Sequence, residues 1–88
     1  MDIPENLLHR YIERRRKDYE NCSQWVKEES FNDLERIGHQ LKGNGKTFGF
    51  EELSKIGLVL EEAAKHKDIV KLEIVLNDFN TWLKKIFS

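Results

Sequence analysis

From Pro4 to Glu28 the apolar residues return every three or four positions: Leu8, Tyr11 and Ile12, Tyr19, Cys22, then Trp25 and Val26. That is the repeat of one helix face, and no residue in the interval breaks a helix, so the spacing predicts one helix over roughly 4–28. Asp2 reads as its short polar cap, with Pro4 in the first turn. Ser30 followed by Asp33 resembles a capping box with aspartate in place of glutamate, opening a second helix that carries Phe31, Leu34, Ile37 and Leu41 to about Lys46. "TFGF" (47–50) turns the chain. Glu51 and Glu52 suit the positive end of a third helix, whose apolar face is Leu53, Ile56, Leu60, Ala63 and Ala64. "KHKD" (65–68) is the next break, with Asp68 as cap. Ile69, Leu72, Leu76, Phe79, Leu83 and Ile86 then alternate by three and four, the spacing of an a/d seam. Four helices with short connections predict an all-α fold, an antiparallel up-down four-helix bundle forming a single domain over 1–88.

Composition narrows the class. Eighty-eight residues allow one modest core. Charged residues make up 35% of the chain, yet they nearly cancel to a net charge of -1, so the overall basic field that nucleic-acid binding favours is missing. One cysteine, Cys22, excludes an internal disulfide framework. The longest purely apolar run, Leu58–Val59–Leu60, is far short of the roughly 20 residues of a membrane span. "MDIPEN" has no positive stretch followed by an apolar run, so no secretory signal is visible. The expectation is a stand-alone, soluble, cytoplasmic monomer that engages neither nucleic acid nor membrane.

The helical pattern is weakened in one place. "HQLKGNGKTFG" (39–49), with Gly38 before it, holds four of the five glycines, each costing a helix interior about 1 kcal/mol relative to alanine. At roughly 100° per residue, Leu34, Gly38 and Leu41 share the inner face of the second helix and His39 lies about 130° away. Asn32, Glu35, Arg36, Gly43 and Lys46 join it on the outer face. His39 is therefore expected on the surface of a rigid element. Gly43, one turn on, leaves the ring uncovered; Lys42 can bring an ammonium close, and Lys46 lies two turns away. An exposed imidazole, a bare helix patch and nearby cations suit a doubly charged group such as phosphate. Gly38 and Gly57 read as packing glycines, Gly45 and Gly49 as turn glycines.

Other features carry less chemistry. Arg14, Arg15, Arg16 and Lys17 form a basic cluster that reads as a solvated face with one snorkelling arginine, or as a docking surface for an acidic partner. Tyr11, Tyr19, Trp25, Phe31, Phe79 and Trp82 read as core, with Phe48 and Phe50 closing the end of the bundle. His9, His39 and His66 lack metal-ligand spacing and Cys22 falls on a core face, so no metal is expected. No Gly-x-Ser-x-Gly elbow and no GxxxxGK[ST] loop is present.

The stretch "HQLKGNGKTFGFEELSKIGLVLEE" resembles the histidine-containing phosphotransfer (HPt) domain of multistep two-component signalling. That family's pattern is a histidine, Leu-Lys-Gly, a stretch of small residues, apolar-Gly-apolar, then leucines continuing to a Leu-Glu pair. His39, Leu41, Lys42, Gly43, Phe48, Gly49, Phe50, Leu53, Leu60 and Glu61 fall in register. Gly57 stands where the family often has alanine or cysteine, and Asn44 and Lys46 replace smaller residues. The resemblance implies that His39 accepts a phosphoryl group on Nε2 from a receiver-domain aspartyl phosphate and passes it to another receiver. It implies that Lys42 offsets the phosphate charge, that Gly43 leaves room for the partner, and that Glu61 accepts the Nδ1–H bond; Lys46, a departure from the pattern, would tune partner choice. Its partners would be response-regulator receiver domains and a hybrid sensor histidine kinase. The chain itself would be a phosphocarrier rather than an enzyme, binding no cofactor; the Mg²⁺ belongs in the partner receiver. The alternative is a bundle of the same fold that docks a response regulator or kinase without carrying phosphate.

Overall fold

In the computed structural model, which describes residues 3–87, the breaks expected from the sequence separate four helices among the described residues: α1 (Glu5–Glu28), α2 (Phe31–Thr47), α3 (Glu51–Lys65) and α4 (Ile69–Phe87). Three of them stop in the same way. Glu29, Gly49 and Lys67 take positive φ angles of 54°, 83° and 54°. In each case the next N–H reaches back to a carbonyl five residues earlier: Ser30 to Trp25, Phe50 to Gly45, and Asp68 to Ala63. This left-handed stop satisfies the last helix carbonyls and reverses the chain within three residues. Consecutive helices therefore run antiparallel, and contacts join α1–α2, α2–α3, α3–α4 and α4–α1 around a ring. The fold is the expected up-down four-helix bundle.

Helix starts differ more from expectation. Asp68 does cap α4, its Oδ1 accepting the Lys71 N–H at 3.1 Å. Ser30 stands at the N-cap of α2 but makes no side-chain cap. Its ψ of 70° departs from the extended conformation that aims a capping hydroxyl at the first turn, and Asp33 pairs instead with Arg36 at 3.2 Å. Pro4 is the residue before α1 rather than part of its first turn, and the expected Asp2 cap lies outside the described residues.

The core is aliphatic with an aromatic end. Leu34, Leu41, Leu53, Leu60, Leu72 and Phe79 are fully buried. Tyr11 stacks on Phe48 with ring centroids 4.0 Å apart, and Phe50 meets Trp82 edge-on at 5.4 Å. The two phenylalanines beside the α2–α3 turn thus close that end of the bundle, as expected. Tyr19, Trp25 and Phe31 are only partly buried and pack at the rim. Arg14, Arg16 and Lys17 are exposed, as a solvated face requires, but Arg15 does more than snorkel: it is buried, its guanidinium 4.3 Å from the Tyr11 ring centroid and its Nε 2.8 Å from Asp18 Oδ2. Its N–H is not aimed at that oxygen, so this is an ion pair without a directed hydrogen bond. Burial pushes the Asp18 carboxyl above its usual range despite the arginine.

What positions the functional residues is the seam between α2 and α3. A Cβ on Gly38 would lie 2.5 Å from the Glu61 backbone nitrogen, and one on Gly57 would overlap the backbone of Lys42. The two glycines let the helix backbones touch. Gly45 serves the seam as well as the turn: its carbonyl accepts the Phe50 N–H, and it lies inside α2 with Ser54 N 2.9 Å from where its Cβ would be. The Ser54 hydroxyl donates to the Lys42 carbonyl at 2.6 Å and locks the register.

Candidate functional site

The seam brings His39 and Lys42 of α2 against Glu61 of α3. Gly38 carries the close approach to the Glu61 backbone, so the next residue, His39, emerges at the edge of the contact. Its side chain is 70% exposed. The Glu61 carboxylate beneath it is only 14% exposed and uses both oxygens: Oε2 lies 2.9 Å from His39 Nδ1, and Oε1 accepts from Lys42 Nζ at 2.9 Å.

The protonation pattern follows. The Lys42 hydrogen bond is the main force holding the Glu61 carboxyl below its usual value, with His39 adding to it against the cost of desolvation. An ionised carboxylate only accepts hydrogen bonds, so Nδ1 is the nitrogen that carries the proton. The neutral ring then has its lone pair on Nε2, away from the protein.

Space completes the arrangement. Nothing lies within 4 Å of where a Cβ of Gly43 would be, so the helix surface one turn from His39 is bare backbone. Asn32, Arg36 and Lys46 are exposed on the same face, and Lys46 makes no side-chain hydrogen bond or ion pair among the described residues. An electrophile on a large partner can reach Nε2 along this face.

The expected set is therefore brought together with one change of emphasis. His39 is exposed, the surface at Gly43 is open, and Glu61 lies against the His39 ring. Lys42 does not point out toward a phosphate position; it is turned onto Glu61. Spacing alone could not tell these apart, because a lysine three residues from His39 can reach either. Sequence reading also missed the tie between α1 and α2 beside the site, where the Tyr11 hydroxyl donates to Asn44 Oδ1 at 2.6 Å. Desolvation raises that phenol above its ordinary value, so it stays a donor. The other histidines lie elsewhere: His9 is exposed on α1, and His66 follows α3 with Nδ1 2.9 Å from the Glu62 carbonyl. Among the described residues no group of three or more His, Cys, Asp or Glu is placed to hold a metal ion, and no helix is long and apolar enough to cross a membrane.

The family model described as the Hpt domain matches residues 6–85 of the chain. No curated protein and no solved structure matches it.

Proposed function

This chain belongs to the Hpt domain family, whose role is histidine phosphotransfer in phosphorelays, and on that premise we propose that His39 is its phosphoacceptor. The observation that carries the reading is the exposed ring held through Nδ1 by Glu61. The Nε2 lone pair attacks the phosphorus of an aspartyl phosphate on a receiver domain. The bond from phosphorus to the aspartyl oxygen breaks, its electron pair leaves with the carboxylate, and a phosphoramidate forms at Nε2. No proton has to leave the attacking nitrogen. The Nδ1 proton stays on the ring, and the Glu61 carboxylate offsets the positive charge the ring gains. Transfer onward to a second receiver is the same step reversed.

As a member of the Hpt family the chain acts as a phosphocarrier rather than a catalyst. The Mg²⁺ and most of the stabilisation of the travelling phosphoryl group belong to the receiver. Gly43 admits the receiver's loops, and Lys46 supplies a free cation on the approach. Lys42 acts first through Glu61, keeping it ionised and in place. Receiver domains and kinases are the partners that the family implies; the specific relay proposed here runs from one receiver through His39 to another. The test is incubation with a phosphorylated receiver and Mg²⁺. Acid-labile, base-stable label on the wild type that disappears in His39→Gln supports the reading, and label from ATP alone refutes the carrier role.

A further inference from the structure

Beyond His39, the flank of α1 that faces α2 carries three cations, two of them with no carboxylate partner among the described residues. Arg10, Arg14 and Lys17 are spaced i, i+4, i+7, one stripe along the helix. Arg15, in the middle of the same run, turns inward to Asp18 and Tyr11, and Arg16 turns the other way to lie 4.0 Å from the Phe87 ring. The cluster read in the sequence is thus sorted by helix geometry into a buried member, one packed on α4, and an outward stripe. Arg10 and Arg14 pair with no carboxylate among the described residues, and Lys17 reaches Glu20 only at 3.9 Å.

The stripe borders an open groove of about 820 Å³. Arg10 and Arg14 line it beside one carboxylate, Glu13, and Asn44 and Phe48 line it from α2. Leu7, 47% exposed, lies in it as an apolar foothold. Asn44 is the residue after the bare Gly43, so the groove begins where the open patch beside His39 ends.

Size decides whether a partner on His39 also meets this groove. A stable protein interface buries about 800 Å² on each partner, a disc about 30 Å across. Packed helices lie about 8–10 Å apart. The whole bundle measures 37 × 22 × 16 Å. A footprint of that size centred near Gly43 spans the width of the molecule and covers the α1 flank.

We infer that Arg10, Arg14 and Lys17 select among receiver partners, favouring one whose surface beside its phosphorylated aspartate is acidic. The inference rests on the relay reading of His39. Its chemistry is charge complementarity: a cationic stripe whose two arginines pair with no carboxylate among the described residues, next to the landing patch, attracts an acidic surface and repels a basic one. Charges at the rim of an interface act mainly on encounter and discrimination, with strong dependence on salt.

The experiment measures phosphoryl transfer from a panel of phosphorylated receiver domains from the same genome, spanning acidic to basic surfaces, to the wild type and to Arg10→Glu/Arg14→Glu. For the best wild-type donor, kcat/KM falls at least tenfold at low salt in the reversed variant. The loss shrinks as salt rises, and the rate at saturating donor changes less than threefold. Arg10→Gln/Arg14→Gln gives an intermediate loss, and circular dichroism of both variants verifies the fold. An unchanged order of preference with less than a twofold loss overturns the inference, as does a loss confined to the saturating rate. Equal, stripe-dependent affinity for duplex DNA or anionic vesicles also overturns it. Calorimetric titration of the same receivers into His39→Gln, with and without the reversal, reads docking without transfer. Charge-dependent binding there, with no phosphorylation of the wild type, sinks the relay reading and leaves the docking surface standing.

Discussion

Glu61 and His39 are 22 positions apart in the chain, yet their side chains meet at 2.9 Å because Gly38, next to the histidine, presses against the Glu61 backbone. The Glu61 carboxylate is thus carried to the His39 ring by a backbone contact that no larger residue permits. The rigidity of that seam lets an exposed ring keep one orientation.

Lys42 is the next partner in this arrangement. Its hydrogen bond is the first cause of the lowered Glu61 pKa. Lys42→Met is expected to move the Glu61 carboxyl up toward the ordinary range, measured by carbon-detected NMR titration. Because the folded pKa lies below the unfolded one, the stability Glu61 contributes is fully present above the ordinary carboxylate range. It is lost as pH falls through the depressed folded value. In Lys42→Met the contribution is smaller and its loss is complete at a higher pH, while the onset, set by the unfolded chain, does not move; the whole contribution stays below about 1 kcal/mol because Lys42 is partly exposed. A Glu61 titration identical in the two proteins would show that the lysine does not hold the carboxylate.

The glycines separate folding from function. Gly57→Ala forces a Cβ into the Lys42 backbone and is expected to cost about 2–3 kcal/mol in urea denaturation. Gly43→Ala meets open space and is expected to gain about 0.5–1 kcal/mol through helix propensity. Gly43→Arg also folds, but transfer to it from a receiver falls roughly tenfold or more, because the landing surface is blocked. Wild-type transfer rates in Gly43→Arg would remove the bare patch from the account.

Cys22 reports on the bundle as a whole. It is fully buried, and burial pushes its thiol up to about 12. Alkylation of the native protein is expected to be at least about a thousandfold slower than that of an unfolded peptide, since the thiolate forms only after the helices part. Urea should accelerate labelling in step with loss of helicity. Rapid labelling at neutral pH without denaturant would show that α1 separates from the bundle easily.

Much of this was legible in the chain. The period of the apolar residues set the four helices, and the wheel put His39 outside and Gly38 inside, because both properties depend only on position along one helix. The departures came from side-chain packing and local backbone geometry that spacing along one helix does not fix. Arg15 is charged in sequence, but its stem and ring-stacking guanidinium fit beside Tyr11 with Asp18 one turn away. Gly45 lies near a turn in sequence, yet Ser54 on the opposite helix gives it a second role. The Ser30 cap failed because the preceding left-handed Glu29 fixes the entry of the chain into α2. The direction of Lys42 was undecidable until α3 supplied Glu61.

The central claim concerns one nitrogen atom. ¹H–¹⁵N NMR of the protein before and after phosphorylation by a receiver domain reads both its lone pair and its fate. The account predicts a neutral His39 protonated at Nδ1 before transfer and phosphorus bonded to Nε2 afterwards, with His9 and His66 unchanged. A resting ring protonated at Nε2, or phosphorus on Nδ1 or on any other residue, would contradict it.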